Sequence, residues 1–311
     1  MKAISYRHYG GPEVLAFGDH PDPKVGPDKV LVEVRAAAVS PVDVKAQAGY
    51  LDTVLDAVFP VVPGWDVSGV VVQPGVSVPE FAVGDEVMGY VREDVLCHGT
   101  FAEYVAAPVR TLARKPRTLG FEEAAALPLA GLTAYQVLHR SLRVGPGDTV
   151  LVNAASGGVG SMAVQIARHL GARVIGAARE GGQDRVRELG AEPVPYGDGF
   201  TARVRQLAPK GVDAALDTIG GQVLKDSAHL LAPAGRLASV ADGEVIALGG
   251  EYYWVRPDPA DLTALAGLAE QGALTVRVAR TFPLEQAADA QRALLEGGLN
   301  GKVVVTVGRN D

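Results

Sequence analysis

Residues 149–167, TVLVNAASGGVGSMAVQIA, run for nineteen positions without a charge. A stretch of that length could cross a bilayer. Its middle argues otherwise, because Asn153, Ser156, Ser161 and the glycines Gly157, Gly158 and Gly160 suit no spanning helix. A strand, TVLVNA, then a glycine turn, then an amphipathic helix, SMAVQIARHLG, stopped by Gly171, accounts for every residue. The turn reads Ala155-Ser156-Gly157-Gly158-Val159-Gly160, an A-x-G-x-x-G pattern. Glycines there keep side chains away from an approaching pyrophosphate, and the helix that follows offers main-chain N–H groups and its positive dipole end.

The surroundings decide whether such a turn binds a nucleotide. RVIGAA (173–178), VDAALDTIG (212–220) and GRLASVA (235–241) have strand composition, while QDRVRELG (183–190) and VLKDSAHLL (223–231) read as helices. Strands alternating with helices at this spacing predict βαβ units and a parallel sheet, the context a dinucleotide turn requires. An NAD-binding site places a carboxylate at the end of the second strand, about twenty residues beyond the glycines, to bond the ribose. Here the count lands on Ala177 and Ala178, with Arg179 next and Glu180 after it. A guanidinium at that place suits a 2′-phosphate, so the cofactor expected is NADPH.

The first third differs. VLVEVRAAAV (30–39), VSGVVVQPGVSV (67–78) and VGDEVMGYV (83–91) are short β-rich runs broken by turn residues. Helical character begins with FEEAAALPLAGLTAYQVLHR (121–140). The tail adds helices over 259–272 and 283–298 and a last strand, KVVVTV (302–307). A formal charge of −7 gives no basic footprint for nucleic acid or an anionic membrane surface. The lone Cys97 excludes an internal disulfide or a multi-cysteine zinc knot. MKAISYRHYGGPEVL lacks an apolar core of signal-peptide length, and the chain is expected to be cytoplasmic.

Taken in order, GTFAEY (99–104), EEAAALPLAGLTAYQVL (122–138), NAASGGVG (153–160), DTIGG (217–221), YYWVRPD (252–258) and GKVVVTV (301–307) resemble the zinc-independent medium-chain dehydrogenase/reductases, in their quinone oxidoreductase and enone reductase group. The likeness covers nearly the whole chain. It implies an α/β protein with a GroES-like β-rich catalytic domain (1–128 and 258–311) and a Rossmann doubly wound parallel-sheet domain (129–257), a cleft between them, and a homodimer. Zinc-containing relatives place cysteine where this chain has Ser40, and histidine where it has Trp65. Neither Ser40 nor Trp65 suits zinc, and no functional metal is expected. His8, His20, His98, His139, His169 and His229 show no ligand-like spacing.

Without a Lewis acid, hydride addition to a quinone or to the C=C bond of a conjugated carbonyl is more accessible than alcohol oxidation. The developing oxyanion then needs only hydrogen-bond donors. In the related reductases SPVDVKAQAGY (40–50) lines the nicotinamide end of the cleft. Ser40, Asp43, Lys45 and Tyr50 are therefore the catalytic candidates, Lys45 and Tyr50 as electrophiles, Asp43 to fix Lys45 or to cap a short helix. The resemblance and the strand ends add Thr133, Thr218, Ser239, Ala241, Asn300 and Lys302 to the cofactor-binding candidates. Tyr252, Tyr253 and Trp254 line an acceptor pocket or pack at a dimer seam. Two other readings stay open. One is a pathway-specific enoyl reductase for a bulky polyketide-type enone, and the other a low-turnover NADPH-binding sensor or structural protein.

Overall fold

The computed structural model describes residues 1–308. The chain forms two compact units. The first takes Met1–Leu129, Pro257–Glu270 and the chain from Val276; the second takes Ala130–Arg256 with Gln271–Thr275.

The first unit is built on the strand Lys29–Val39. Val30, Val32 and Val34 alternate inward with period two and are at most 2% exposed. From Ala36 to Val39 every residue is buried, because the helix Phe121–Ala126 packs over the strand. The sheet runs Val278–Pro283, Lys302–Thr306, Lys29–Val39, Asp66–Pro74, Glu86–Tyr90, Leu112–Arg114, and Tyr104–Pro108 also pairs with the long strand. The tail strand lies antiparallel to it, with Val303 opposite Val39. That register carries Lys302 to the end of the strand where Ser40 begins the helix Pro41–Gln47. Asp66 opens the neighbouring strand at the same end. A separate parallel pair, Asp56–Val62 with Val95–His98, lies outside this sheet.

The second unit holds six parallel strands. Numbered in chain order from Thr149–Val152, they lie 3-2-1-4-5-6 across the sheet, the doubly wound arrangement. Leu151, Ile175, Ala215 and Leu237 are at most 4% exposed, as expected where helices cover both faces. The predicted helices and strands of this region all form. The helical stretch 121–140 leads into this unit. It forms two helices, Phe121–Ala126 and Pro128–Gln136, followed by a π-turn Val137–Ser141. Pro128 has no N–H to continue the first helix and fits the start of the second. The strand Glu192–Pro195 was not anticipated, since Pro193 and Pro195 argue against a strand interior. It stands at the sheet edge, where missing donors are tolerated. Among the described residues no helix is long and apolar enough to cross a membrane.

Close packing in the first unit depends on Gly69, opposite Val34; a Cβ there would sit 2.1 Å from the Glu33 carbonyl oxygen. Gly69→Ala must force two paired strands apart. The expected cost is about 1–3 kcal/mol, seen in calorimetry as a melting temperature lowered by several degrees. An unchanged melting temperature would show that the strands separate freely.

Candidate functional site

In the second unit the turn from Val152 to the helix Gly158–His169 is held from three sides. Ala154 adopts a left-handed conformation (φ 49°). Its N–H donates to the Tyr196 hydroxyl at 2.5 Å, and its carbonyl accepts from Gly157 N at 2.8 Å. The Tyr196 hydroxyl donates in turn to Ala177 O at 3.0 Å, which ties the turn to the end of the second strand. Gly160 packs so closely that a Cβ would lie 2.1 Å from Ala154 O. Ala155, in the place of the first glycine, is fully buried and directs its methyl group toward Gly176, not toward a ligand.

The first helical N–H with a partner is Ser161, bonded to Gly157 O at 2.9 Å. The N–H groups of Gly158, Val159 and Gly160 lie within the first turn, where the helix offers no carbonyl. Gly157, at the N-cap, has no side chain with which to cap them. The arrangement fits a pyrophosphate. Ser156 and Val159 stand half-buried beside it.

The floor of this site is a buried polar network at the ends of the first, fourth and fifth strands. Asp217 accepts from Ser239 Oγ at 2.6 Å, from Gly220 N at 3.0 Å and from Asn153 Nδ2 at 3.4 Å. Asn153 also donates to Ser227 Oγ at 2.9 Å. The Ser239 hydroxyl accepts from Ala241 N and Asp242 N, both at 3.1 Å, so its bonding capacity is used in shaping the loop. Thr218 Oγ1 donates to Asn153 O at 3.3 Å, and Thr133 is buried in the helix Pro128–Gln136. Arg179 follows the second strand, exposed, and its guanidinium makes no hydrogen bond or ion pair among the described residues. Glu180 beside it is exposed too. Asn300 and Lys302 belong to the first unit.

In the first unit four side chains meet at the sheet end described above. Lys302, 6% exposed, donates to Ser40 Oγ at 2.5 Å and to Asp66 Oδ2 at 3.3 Å. Ser40 Oγ donates to Asp66 Oδ2 at 3.5 Å, and Asp66 Oδ1 accepts from Leu129 N at 2.7 Å. Asp43 Oδ2 accepts from Ser40 N at 2.7 Å and so caps its own helix; Oδ1 is buried without a partner. Burial pushes both carboxyls upward. At Asp66 the Lys302 ammonium and three hydrogen bonds oppose that rise. Asp43 has no direct cation, and burial with the nearby charge of Asp66 raises it to about 7. The Lys302 ammonium bonds Asp66 and not Asp43, so Asp43 is the carboxyl that holds its proton as pH rises toward 7.

Of the catalytic candidates, the structure brings Ser40 and Asp43 together. It adds Lys302, read from sequence as a cofactor contact, and Asp66, which had no assigned role. Lys45 and Tyr50 are apart from this group, both exposed, Tyr50 by 77%. The donor set does not suit zinc. Ser40 is engaged by Lys302, the Trp65 indole has no lone pair to give, and among the described residues no three His, Cys, Asp or Glu side chains could hold a metal ion. Cys97 pairs only with its neighbour, Sγ to His98 Nε2 at 3.4 Å.

Two measurements check these assignments. Tyr196→Phe removes both hydroxyl bonds behind the turn and should cost about 0.5–1.5 kcal/mol. Its calorimetric melting temperature should fall; no change would leave Ala154 held by its neighbours alone. Asp43 holds its proton in the folded chain from its ordinary value near 4 up to about 7. The unfolded chain has released it over that range. Stability should therefore decline as pH rises through this window and level off above it. In melting curves taken across the window, Asp43→Asn should flatten this part of the decline, and an unchanged profile would place the proton elsewhere.

Comparison with known proteins agrees with this geometry. A family model described as "Alcohol dehydrogenase GroES-like domain" matches residues 26–117, and one described as "Zinc-binding dehydrogenase" matches 189–305. An NADPH-dependent alkenal/one oxidoreductase, chloroplastic, from Arabidopsis thaliana is 34% identical over 98% of this chain and 79% of its own length. The quinone oxidoreductase from Coxiella burnetii superimposes with TM-score 0.88 at 32% identity, over 99% of both chains. A structure titled as an NAD-dependent alcohol dehydrogenase superimposes at 0.90 with 36% identity, over 99% of this chain and 100% of that one. Such relatives support an oxidoreductase with a nicotinamide cofactor. The chain belongs to the medium-chain dehydrogenase/reductases, in their quinone oxidoreductase and enone reductase group.

Proposed function

We propose that this oxidoreductase uses NADPH to reduce a quinone or the C=C bond of a conjugated carbonyl. The observation that carries the reading is the glycine turn with Arg179 beside it. Three unpaired N–H groups face a pyrophosphate site, and the second strand ends in an unpaired guanidinium where a ribose-binding carboxylate would favour NAD. When bound there, the nicotinamide supplies a hydride.

The chain's own residues do the rest. Gly158, Val159 and Gly160 fix the diphosphate through main-chain amides, and Arg179 pairs with the 2′-phosphate. Thr133, Thr218 and Ala241 border the nucleotide, while Ser239 and Asp217 keep the strand ends in register beneath it. The donor chemistry around Ser40 offers no Lewis acid, which favours an acceptor whose reduced oxygen needs hydrogen bonds alone. Lys45 and Tyr50, exposed on and just after the helix Pro41–Gln47, can supply such donors. The edge strand Glu251–Tyr252, with Tyr252 and Trp254 more than a third exposed, supports a homodimer formed along that edge. The single half-buried cysteine is consistent with a cytoplasmic setting.

The test is a steady-state screen of NADPH and NADH against matched quinones and enones. NADPH oxidation with either acceptor class supports the reading. Tight NADPH binding without turnover on the whole panel would favour a cofactor-binding protein in its place. Arg179→Ala should raise KM for NADPH at least tenfold more than KM for NADH, in line with the loss of a charge-assisted bond worth about 1.5–3 kcal/mol. Equal effects on the two would defeat the cofactor assignment.

A further inference from the structure

Asp43 and Tyr6 share a small cavity in the first unit that the proposed chemistry has not yet used. Its walls are Val61, Pro63, Trp65 and Leu96, and its volume is about 20 Å³, room for one oxygen-sized group. The floor is buried: Tyr6 is 2% exposed, Asp43 3% and Trp65 6%. The rim is open, with Val95 and His98 exposed and Glu93 and Cys97 half-buried.

The polar groups of the floor are unspent. The Tyr6 side chain makes no hydrogen bond among the described residues; its ring packs edge-on against Phe59, 5.9 Å between centroids. The Trp65 indole N–H likewise has no partner among them, its ring lying against Tyr90. Asp43 uses Oδ2 on Ser40 N and leaves Oδ1 unpaired. Leaving buried polar groups unmade costs about 1–3 kcal/mol each. Asp43 Oδ1 is such a group, and Asp43 shares this cavity with the unbonded Tyr6 hydroxyl.

We propose that Tyr6 and Asp43 form a binding subsite for the carbonyl or quinone oxygen of the acceptor, donating hydrogen bonds to the negative charge that develops there. The proposal rests on the reductase reading and names the part of the site that receives the oxygen. The sign of the charge follows from the cluster behind it. Lys302 is matched by Asp66, and burial raises Asp43 to about 7, so below that pH Asp43 holds a proton that it can donate. Tyr6 is held neutral chiefly by burial, with smaller contributions from Tyr9 and Asp43, and a neutral phenol is a donor. A phenol and a carboxylic acid that line one small cavity can both donate to an oxyanion. As hydride forms the new C–H bond, electron density moves onto the acceptor oxygen. The subsite stabilises that anion, and a proton from solvent completes the product.

Equilibrium binding of 4-nitrophenol to the full chain without cofactor tests the subsite separately from turnover, because the phenolate band reports the ionisation of the bound oxygen. The wild type should bind it and shift its titration. Tyr6→Phe, which removes only an unbonded hydroxyl, should weaken binding and lower kcat/KM at least tenfold, with the NADPH dissociation constant unchanged within about twofold. Asp43→Asn keeps a donor amide and should fall between Tyr6→Phe and the wild type. Lys210→Met, at an exposed position in the second unit, should bind as the wild type does. Absence of binding to the wild type, or binding that Tyr6→Phe leaves intact, would overturn the proposal. Phenol binding without NADPH oxidation on any acceptor would keep the subsite and remove the reductase reading.

Discussion

Three main-chain N–H groups at the head of the helix Gly158–His169 have no carbonyl to point at, and much of the second unit serves to keep them that way. Gly157 cannot cap them. Gly160 admits the Ala154 carbonyl so closely that no side chain fits between. Ala154 pays for the tight turn with a left-handed backbone, stabilised by Tyr196. An isolated helix would satisfy its first N–H groups with a serine or aspartate. This one leaves them available, and an anion is the partner that their combined dipoles favour.

The first unit handles charge in the opposite way. Its polar cluster is closed: Ser40, Asp43, Asp66 and Lys302 are each at most 6% exposed. The one ammonium bonds Asp66, and Asp43, without a direct cation, is raised by burial to about 7. The tail strand supplies Lys302, so residues more than two hundred positions apart become neighbours through the register of Val303 with Val39. A buried cation in this place also separates the chain from zinc chemistry, since it occupies the hydroxyl of Ser40.

What could be read from the sequence was whatever had a local period or a local turn. The βαβ alternation, the strand Lys29–Val39 and the glycine turn all announce themselves within ten or twenty residues. Arg179 followed from counting along one strand. The proline-bearing edge strand Glu192–Pro195 did not show, because its place at the sheet edge is a tertiary fact. Tyr196 was hidden for the same reason: nothing near it in sequence says that its hydroxyl will reach Ala154. Lys45 looked like the chemical lysine of its segment because it stands close to Ser40 in the chain. In the structure Lys302 is the lysine that touches Ser40, and only long-range register could reveal it. Tyr6 carried no signal at all, lying far from every motif.

The central claim is that the exposed amides of the glycine turn grip the diphosphate of the cofactor. Amide chemical shifts of the ¹⁵N-labelled protein during titration with NADPH test it most directly. The account predicts that Gly158, Val159 and Gly160 move downfield together and saturate with the nucleotide. If those three resonances stay in place while amides elsewhere respond, the cofactor binds somewhere else and the account fails.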